Sequence, residues 1–155
     1  MAPKDSAKDV DLLKLDQQLC FALYSSAHAL NRAYKPALKP LGLTYPQYLV
    51  MLVLWERDGV TVTEIGDRLH LDSGTLTPLL KRLEAMGLVS RARDAADERQ
   101  LRIQLTGKGQ ALREKAEAVP QAILRAMGQP IGELDALKGA LVRLRDQLNA
   151  ATGED

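Results

Sequence analysis

Residues 61–106 have the sequence TVTEIGDRLHLDSGTLTPLLKRLEAMGLVSRARDAADERQLRIQLT, and this stretch decides the fold of the 155-residue chain. Thr61 and Glu64 form the capping box that marks a helix N-terminus. Asp72 is a second N-cap, since its carboxylate can accept amide hydrogens from the turn that follows. The stretch therefore predicts a helix, a tight turn at His70-Leu71, and a second helix that begins at Ser73.

The second helix has an apolar face and a short, polar face. Leucines recur at helical spacing from Leu76 to Leu83 and predict the buried side. The opposite side is hydroxylated and weakly basic, which suits a helix in the major groove of DNA, where Ser and Thr read base edges and Lys reaches phosphate. Pro78 predicts a slight bend without a break. We expect these residues of the helix to face DNA: Ser73, Gly74, Thr75, Thr77, Pro78, Lys81 and Arg82.

Two strand-like segments, residues 88–93 and 100–105, follow this helix and are joined by a polar loop. Such a wing can place an arginine in the adjacent minor groove. Asp97 is expected to pair with Arg99 and fix the direction of its guanidinium, which lowers the entropy lost on insertion. The wing residues expected at DNA are Arg91, Arg93, Asp97 and Arg99.

Bulk charge does not argue for a nucleic-acid ligand. The chain has 21 Lys and Arg against 20 Asp and Glu, a formal net charge of +1. Helix-turn-helix pairs also occur as plain packing units, and some winged helices bind proteins. The prediction of DNA binding therefore rests on the pattern of the two helices and the wing.

The remainder of the chain is predicted to be helical. One domain, residues 1–155, is expected to be mainly α with a small β-hairpin, a winged helix-turn-helix with long N- and C-terminal dimerisation helices. The winged unit spans about 45–106, and the dimerisation helices span about 10–40 and 107–150. We expect helices over 11–38 (closed by Pro36 and Pro40), 44–57, 106–127 (bent at Pro120) and from 131 onwards.

The last helix has an apolar seam from Ile131 to Leu148, with residues spaced three or four apart. A homodimer would cover this seam and present two recognition helices to the half-sites of a pseudo-palindromic operator. The alternative is that the terminal helices pack on their own subunit.

Several classes of protein are not expected. No apolar run approaches the roughly 20 residues that span a bilayer, so we expect no membrane partner and a cytoplasmic location. One cysteine excludes an internal disulfide and a multi-cysteine zinc site. His28 and His70 lack acidic partners at ligand spacing, so neither a metal nor a cofactor is expected.

Cys20 is the single cysteine, and it lies midway along the first predicted helix, residues 11–38. Taken alone, it would be a small buried hydrophobe. The residues one turn away are not cationic, so this helix is not expected to activate the thiol. Tyr24 shares its face, and phenol donors would favour the thiolate over the thiol. Tyr34 and Tyr45 could reach the sulfur only from elsewhere, for which a dimer interface is attractive.

Residues 61–106 resemble the winged helix-turn-helix of the MarR family of bacterial transcription regulators. The resemblance includes the Asp-x-Arg wing at Asp97 and Arg99 and the Leu-Thr-x-x-Gly helix start at residues 105–109. Residues 71–84, LDSGTLTPLLKRLE, are similar to one branch, the organic hydroperoxide resistance regulators (OhrR). Cys20, Tyr34 and Tyr45 match this branch as well.

The resemblance implies a repressor that binds double-stranded DNA as a reduced homodimer and is not an enzyme. It implies that Cys20 is the peroxide-reactive thiolate, that Tyr34 and Tyr45 reach it from the partner subunit, and that Tyr24 lines the same pocket. An organic hydroperoxide would oxidise Cys20 to sulfenic acid. Because the chain has no second cysteine, the resemblance is to the one-cysteine subtype, in which a small thiol completes the switch.

Two other functions are compatible with parts of the pattern. A MarR-type repressor could release DNA on binding a non-covalent phenolic or carboxylic ligand, with Cys20 incidental. A thiol peroxidase would turn over hydroperoxide, but the sequence offers neither a resolving thiol nor a recognisable reductant site.

Overall fold

The computed structural model describes residues 11–153, so the ends of the predicted domain, 1–10 and 154–155, lie outside the described residues. The chain divides into two compact units, the first ending at Val119 and the second beginning at Pro120. The prediction of a single domain stays a prediction.

In chain order the elements are α1 Leu19–Leu38, α2 Tyr45–Glu56, β1 Val60–Thr61, α3 Val62–Leu69, α4 Ser73–Ala85, β2 Val89–Arg93, β3 Leu101–Leu105, α5 Gly107–Ala116, α6 Ala118–Met127 and α7 Ile131–Thr152.

The helix-turn-helix forms where the caps predict it. The Thr61 hydroxyl accepts from the Glu64 amide at 3.2 Å, and the Glu64 carboxylate accepts from the Thr61 amide at 2.7 Å. His70 ends α3 in the left-handed region, at φ 54°. Asp72 accepts from the Thr75 amide at 2.6 Å and caps α4. α4 continues through Pro78 without a break, as expected.

The sheet has three antiparallel strands in the order β1-β3-β2, where the sequence predicts only two. Val60 and Arg91 flank Ile103 on opposite sides. β1 was missed because two residues are too few to show an alternating pattern. Ile103 is buried, and α2, α3 and α4 pack on one another and on this sheet. The core of the first unit therefore lies beneath α4 and the wing.

α1 begins at Leu19, so the prediction of a helix from residue 11 is wrong. A short 3-10 turn, Leu15–Gln17, precedes it, and Gln18 is extended at φ −89°, ψ 107°. Pro36 lies inside α1 and does not end it. The chain instead turns through a second 3-10 turn, Lys39–Leu41, and leaves it through Gly42 at φ 68°.

The helix predicted over 106–127 is two helices, and the break falls at Glu117 rather than at Pro120. Pro120 lies in the first turn of α6, where its missing amide has no intrahelical partner to lose. The predicted interruption is therefore present but lies within the turn before Pro120, because in a continuous helix the Pro120 amide would have to donate to the Ala116 carbonyl.

Position 109, in the first turn of α5, requires a glycine. A Cβ at this position would lie 2.1 Å from the Leu88 carbonyl oxygen. The close approach lets α5 lie against the chain entering the wing. A second contact joins the start of α5 to α2, since the indole N–H of Trp55 donates to the Gly109 carbonyl at 2.9 Å.

α7 keeps much of its apolar seam exposed in a single chain. The exposed fractions are 70% for Ile131, 54% for Leu137 and 55% for Leu148. Leu19 and Phe21, at the start of α1, are exposed as well. Exposed apolar surfaces of this kind favour a partner. Among residues 11–153, no helix combines the length and apolarity needed to cross a membrane.

Candidate redox site and nucleic-acid interface

Cys20 is the second residue of α1, and its side chain is exposed. Its predicted place midway along a helix is therefore wrong, because α1 begins eight residues later than expected. The first-turn amides of a helix lack intrahelical acceptors, and the helix dipole favours negative charge there. The thiol of Cys20 therefore lies at the N-terminal end of α1 and not in its interior.

Tyr24 lies one turn after Cys20 on the same face of α1. Its side chain is exposed, and its ring packs edge-on against His28, with the ring centroids 4.5 Å apart. The structure therefore keeps Tyr24 near Cys20 within one subunit, as its spacing predicts.

Tyr34 and Tyr45 form an aromatic cluster with a third tyrosine, Tyr48. The ring centroids of Tyr34 and Tyr45 are 4.4 Å apart, and Tyr48 lies 5.9 Å from Tyr34 and 6.4 Å from Tyr45. Sequence reasoning missed Tyr48, although its spacing from Tyr45 places both on one side of α2. Tyr48 is buried, whereas Tyr34 and Tyr45 are half-buried.

Burial keeps these phenols protonated. It raises the pKa of Tyr34 to about 12, with smaller contributions from Tyr45 and Tyr48. Burial also raises the pKa values of Tyr45 and Tyr48 above their ordinary value. Within residues 11–153, the hydroxyls of Tyr34 and Tyr45 make no hydrogen bond to the chain. They are therefore available as donors.

Cys20 does not join the tyrosine cluster within one chain. Tyr34 follows Cys20 in α1 by nearly four helical turns, roughly 20 Å along the axis. The structure thus brings Tyr34 and Tyr45 together but separates both from the sulfur of their own subunit. A composite site needs a second copy of the chain.

A groove of about 510 Å³ opens beside the cluster, where the end of α1 meets the start of α2. It is lined by Asn31, Tyr34, Lys35, Pro36, Leu38, Lys39, Leu43, Thr44, Tyr45 and Pro46. Its walls are mainly apolar. The groove is large enough for a small reactant beside the two phenols.

α4 presents the face that the sequence predicts for DNA. Six of the seven predicted residues are exposed, and Thr77 is half-buried. The four leucines of the opposite face, Leu76, Leu79, Leu80 and Leu83, are buried. Packing therefore fixes which side of α4 is free, and that side contains the hydroxyls and the cations.

The wing holds Arg99 outward. Its side chain is 91% exposed, and its Nε and Nη2 atoms donate to the two Asp97 carboxylate oxygens at 3.1 and 3.3 Å. The Asp97–Arg99 pair predicted from the sequence is confirmed. Hydrogen bonds from the Arg99 side chain and amide hold the pKa of Asp97 below its ordinary range.

Arg91 and Arg93 are less available than Arg99. Arg91 donates through Nε and Nη2 to the two carboxylate oxygens of Glu84 on α4, both at 3.1 Å. Arg93 donates to the Glu98 carbonyl at 2.9 Å. The Arg91–Glu84 pair ties the wing to α4, so a contact of Arg91 with DNA stays a prediction.

The buried carboxylate of Asp94 organises the base of the wing, and sequence reasoning missed it. Asp94 accepts from the amides of Ala96 at 2.7 Å and Asp97 at 3.0 Å. It also accepts from Arg102 Nε, while Arg102 Nη1 donates to the Gly59 carbonyl at 2.6 Å. These amides and Arg102 hold the pKa of Asp94 below its ordinary range. We call this network the wing clamp.

The fold and this surface define a winged helix-turn-helix protein. Residues 32–116 match the family described as transcriptional regulator SarA/Rot. The chain is 55% identical over 143 residues to the HTH-type transcriptional regulator TtmR of Methylorubrum extorquens (strain PA1), covering 92% of this chain and 73% of that protein. It is 48% identical over 139 residues to the organic hydroperoxide resistance transcriptional regulator of Bacillus subtilis (strain 168), covering 90% and 95%.

A solved structure of a DNA-bound protein is also similar to this chain. Reduced AbfR bound to DNA, a protein of Staphylococcus epidermidis, matches with a TM-score of 0.76 and 43% identity, over 89% of this chain and 94% of that chain. The chain belongs to the MarR family of transcriptional regulators, in the branch of the organic hydroperoxide resistance regulators. Its relatives are, by their names, transcriptional regulators.

Proposed function

We propose that this protein is a DNA-binding transcriptional repressor that senses organic hydroperoxides through oxidation of Cys20 and then releases its operator. The observation that carries the proposal is that the chain has an exposed Cys20 in the first turn of α1 and, apart from it, two tyrosines, Tyr34 and Tyr45, whose hydroxyls have no hydrogen-bond partner among residues 11–153. The name of the Bacillus subtilis relative and the DNA-bound AbfR structure support the two halves of this function.

The protein binds double-stranded DNA as a homodimer. The exposed face of α4 enters the major groove, where the hydroxyls of Ser73, Thr75 and Thr77 face base edges and Lys81 and Arg82 face phosphate. Arg99, held by Asp97, enters the adjacent minor groove. Two-fold symmetry presents both surfaces twice, which requires a pseudo-palindromic operator.

Each dimer has two redox sites, and each site combines Cys20 of one subunit with Tyr34 and Tyr45 of the other. The phenol hydroxyls donate to the sulfur and stabilise its charged form. Tyr24 lines the same site from the subunit that supplies the cysteine. The exposed apolar residues of α1 and α7 provide the surface that a second copy covers.

The oxidation is a two-electron step. The Cys20 thiolate attacks the terminal oxygen of the hydroperoxide, the O–O bond breaks, and the sulfur becomes a sulfenic acid. The departing alkoxide takes a proton from water and leaves as an alcohol. A small thiol then condenses with the sulfenic acid, giving a mixed disulfide and water.

Release of DNA follows from the loss of the thiolate. The hydrogen bonds that the tyrosines formed to the charged sulfur are lost, and the mixed disulfide is bulkier than the thiol. Both recognition helices belong to subunits joined at this interface, so a small rotation removes several contacts at once. A tenfold loss of affinity needs only about 1.4 kcal/mol.

The test compares the wild type with Cys20→Ser by fluorescence anisotropy of a labelled DNA fragment from upstream of the gene. We expect both proteins to bind, and only the wild type to release DNA after stoichiometric cumene hydroperoxide and a small thiol. Release of both proteins by a phenolic or carboxylic ligand, but of neither by oxidant, would favour the non-covalent alternative. Steady consumption of hydroperoxide far beyond one equivalent would favour a peroxidase.

A further inference from the structure

The groove beside the tyrosine cluster has an unusual distribution of charge. No acidic residue occurs between Asp16 and Glu56, whereas the same stretch contains Arg32, Lys35 and Lys39. Lys35 and Lys39 both line the groove, and no acidic residue lines it. An anion that enters the groove therefore meets two positive charges and no negative charge.

These two cations are not neutralised by neighbours. Within residues 11–153, neither the Lys35 nor the Lys39 ammonium lies within ion-pairing distance of a carboxylate. The wing arginines Arg91 and Arg99, by contrast, are both paired. α5, which packs on the Lys39–Leu41 turn, contains three cations, Lys108, Arg113 and Lys115, against one anion, Glu114, with Glu117 directly after its end, so it adds no net negative charge.

The groove suits a small organic anion rather than an inorganic one. Its walls combine the rings of Tyr34 and Tyr45 with prolines and leucines, and Asn31 adds one uncharged polar group. A volume of about 510 Å³ accommodates a molecule of several heavy atoms. The lysines then provide attraction for a terminal anionic group while the apolar walls contact the rest.

We propose that Lys35 and Lys39 select, as the reactant that completes the switch, a small thiol that carries carboxylate groups. This inference rests on the proposed function, in which Cys20 of the partner subunit reaches the tyrosines beside the groove. The thiol sulfur attacks the Cys20 sulfenic acid, an S–S bond forms, and the S–O bond breaks. The thiol proton and the hydroxyl group leave as water, so no further oxidant is needed.

The lysines act on the approach of the thiol and not on its intrinsic reactivity. Fixed positive charge raises the local concentration of an anionic reactant and its rate of encounter, and salt screens the effect. A neutral thiol gains nothing from it. The two lysines are therefore specificity-determining residues for the second step.

The test measures the second step alone. Wild-type dimer is oxidised with one equivalent of cumene hydroperoxide, sulfenic acid at Cys20 is verified by intact mass, and mixed-disulfide formation is timed with mercaptopropionate or with neutral mercaptoethanol. The variants are Lys35→Met with Lys39→Met, and the charge-preserving pair Lys35→Arg with Lys39→Arg. Lys115→Met removes one exposed cation from α5 as a control.

We expect the double methionine variant to react about tenfold more slowly than the wild type with mercaptopropionate and equally fast with mercaptoethanol. The difference should shrink at high salt, and the arginine pair and Lys115→Met should behave as the wild type. Equal rates for both thiols in all variants, or equal slowing of both thiols, would overturn the inference while leaving the redox proposal intact.

Two further outcomes separate the possible failures. If the double methionine variant is slower than the wild type in the first step with a carboxylate-bearing hydroperoxide but not with a neutral one, and reacts with both thiols at the wild-type rate, the lysines select the hydroperoxide and the inference is wrong. If no sulfenic acid forms at Cys20 of the wild type, the redox proposal fails, and the inference fails with it.

Discussion

At the scale of single residues, the tyrosine cluster is the chemical feature that distinguishes this chain from a plain winged helix. The ring centroids of Tyr34, Tyr45 and Tyr48 lie within 6.4 Å of one another, and burial of the rings favours the neutral form of the phenols. A neutral phenol donates a hydrogen bond, whereas a phenolate cannot. In the proposed redox site, the neutral phenols of Tyr34 and Tyr45 are the donors that stabilise the Cys20 thiolate of the partner subunit.

The raised pKa of Tyr34 predicts a specific pH dependence. A pKa near 12 in the folded state, against an ordinary value of 10.0, means that folding favours the neutral phenol. Its contribution to the free energy of unfolding is complete below pH 10 and is lost as the pH rises through 12. We expect an ultraviolet titration of the folded protein to show a phenolate step near pH 12 that Tyr34→Phe removes.

The matched experiment is the same titration in denaturant, where all tyrosines should ionise near 10. Thermal stability should fall between pH 10 and 12 more steeply in the wild type than in Tyr34→Phe. If every tyrosine of the folded wild type ionises near 10, Tyr34 is not buried as described.

At the scale of elements, the wing combines an exposed contact with a buried support. Arg99 is the proposed DNA contact, and the wing clamp of Asp94, Arg102 and the Gly59 carbonyl fixes the strand ends on either side of its loop. The clamp also joins β3 to the turn before β1. Order in the wing therefore depends on residues that do not face DNA.

The prediction for the wing is a double-mutant cycle. Arg99→Ala should weaken binding to the cognate operator about tenfold at fixed salt and leave dimerisation unchanged. Asp94→Asn should weaken binding comparably, because it loosens the loop that aims Arg99. The losses of binding free energy caused by the two substitutions should not add in the double variant, since both substitutions remove the same contact of Arg99. The measurements are anisotropy for affinity and sedimentation for the oligomeric state.

Asp135→Asn, on α7, serves as the control for loss of one carboxylate. Additive losses in the double variant would mean that Asp94 acts on binding by a route other than Arg99. Unaltered affinity of Arg99→Ala would mean that the minor-groove contact is wrongly assigned.

Local signals explain which elements could be predicted from the sequence. Thr61, Asp72 and Thr106 each cap a helix with a neighbour three residues away, so their helices begin where the sequence indicates. The start of α1 was placed wrongly because apolar periodicity continues through residues that form only a 3-10 turn. β1 is defined by its pairing with Ile103, more than forty residues later, which no local pattern contains.

The candidate site likewise has features that the sequence predicts and features that it does not. The exposed face of α4 and the Asp97–Arg99 pair follow from spacing along one element, and the structure confirms the geometry. The wing clamp joins Asp94 to Gly59 through Arg102, and the cluster brings Tyr48 to Tyr34. These contacts arise from packing between elements, which sequence spacing does not encode.

At the scale of the whole molecule, one chain is chemically incomplete. Its thiol is exposed at the start of α1, while Tyr34 lies roughly 20 Å further along the same helix and Tyr45 packs beside Tyr34 from α2. Its apolar surfaces on α1 and α7 are exposed as well. A symmetric dimer resolves both features and joins the redox sites to the two DNA-binding surfaces.

Defined heterodimers test this central claim most directly. The first pairs a Cys20→Ser subunit with a Tyr34→Phe, Tyr45→Phe subunit, so that the remaining Cys20 faces the intact tyrosines of its partner. The second pairs a wild-type subunit with one carrying all three substitutions, so that the remaining Cys20 faces two phenylalanines. The rate of Cys20 oxidation by cumene hydroperoxide and the release of labelled operator are measured for each.

The account predicts that Cys20 of the first heterodimer oxidises at the wild-type rate and that the dimer releases DNA, while the second is roughly tenfold slower, because it lacks hydrogen bonds to the charged sulfur. The reverse order would place the tyrosines beside the cysteine of their own subunit. Equal rates would show that the tyrosines do not act on Cys20, and would contradict the composite redox site.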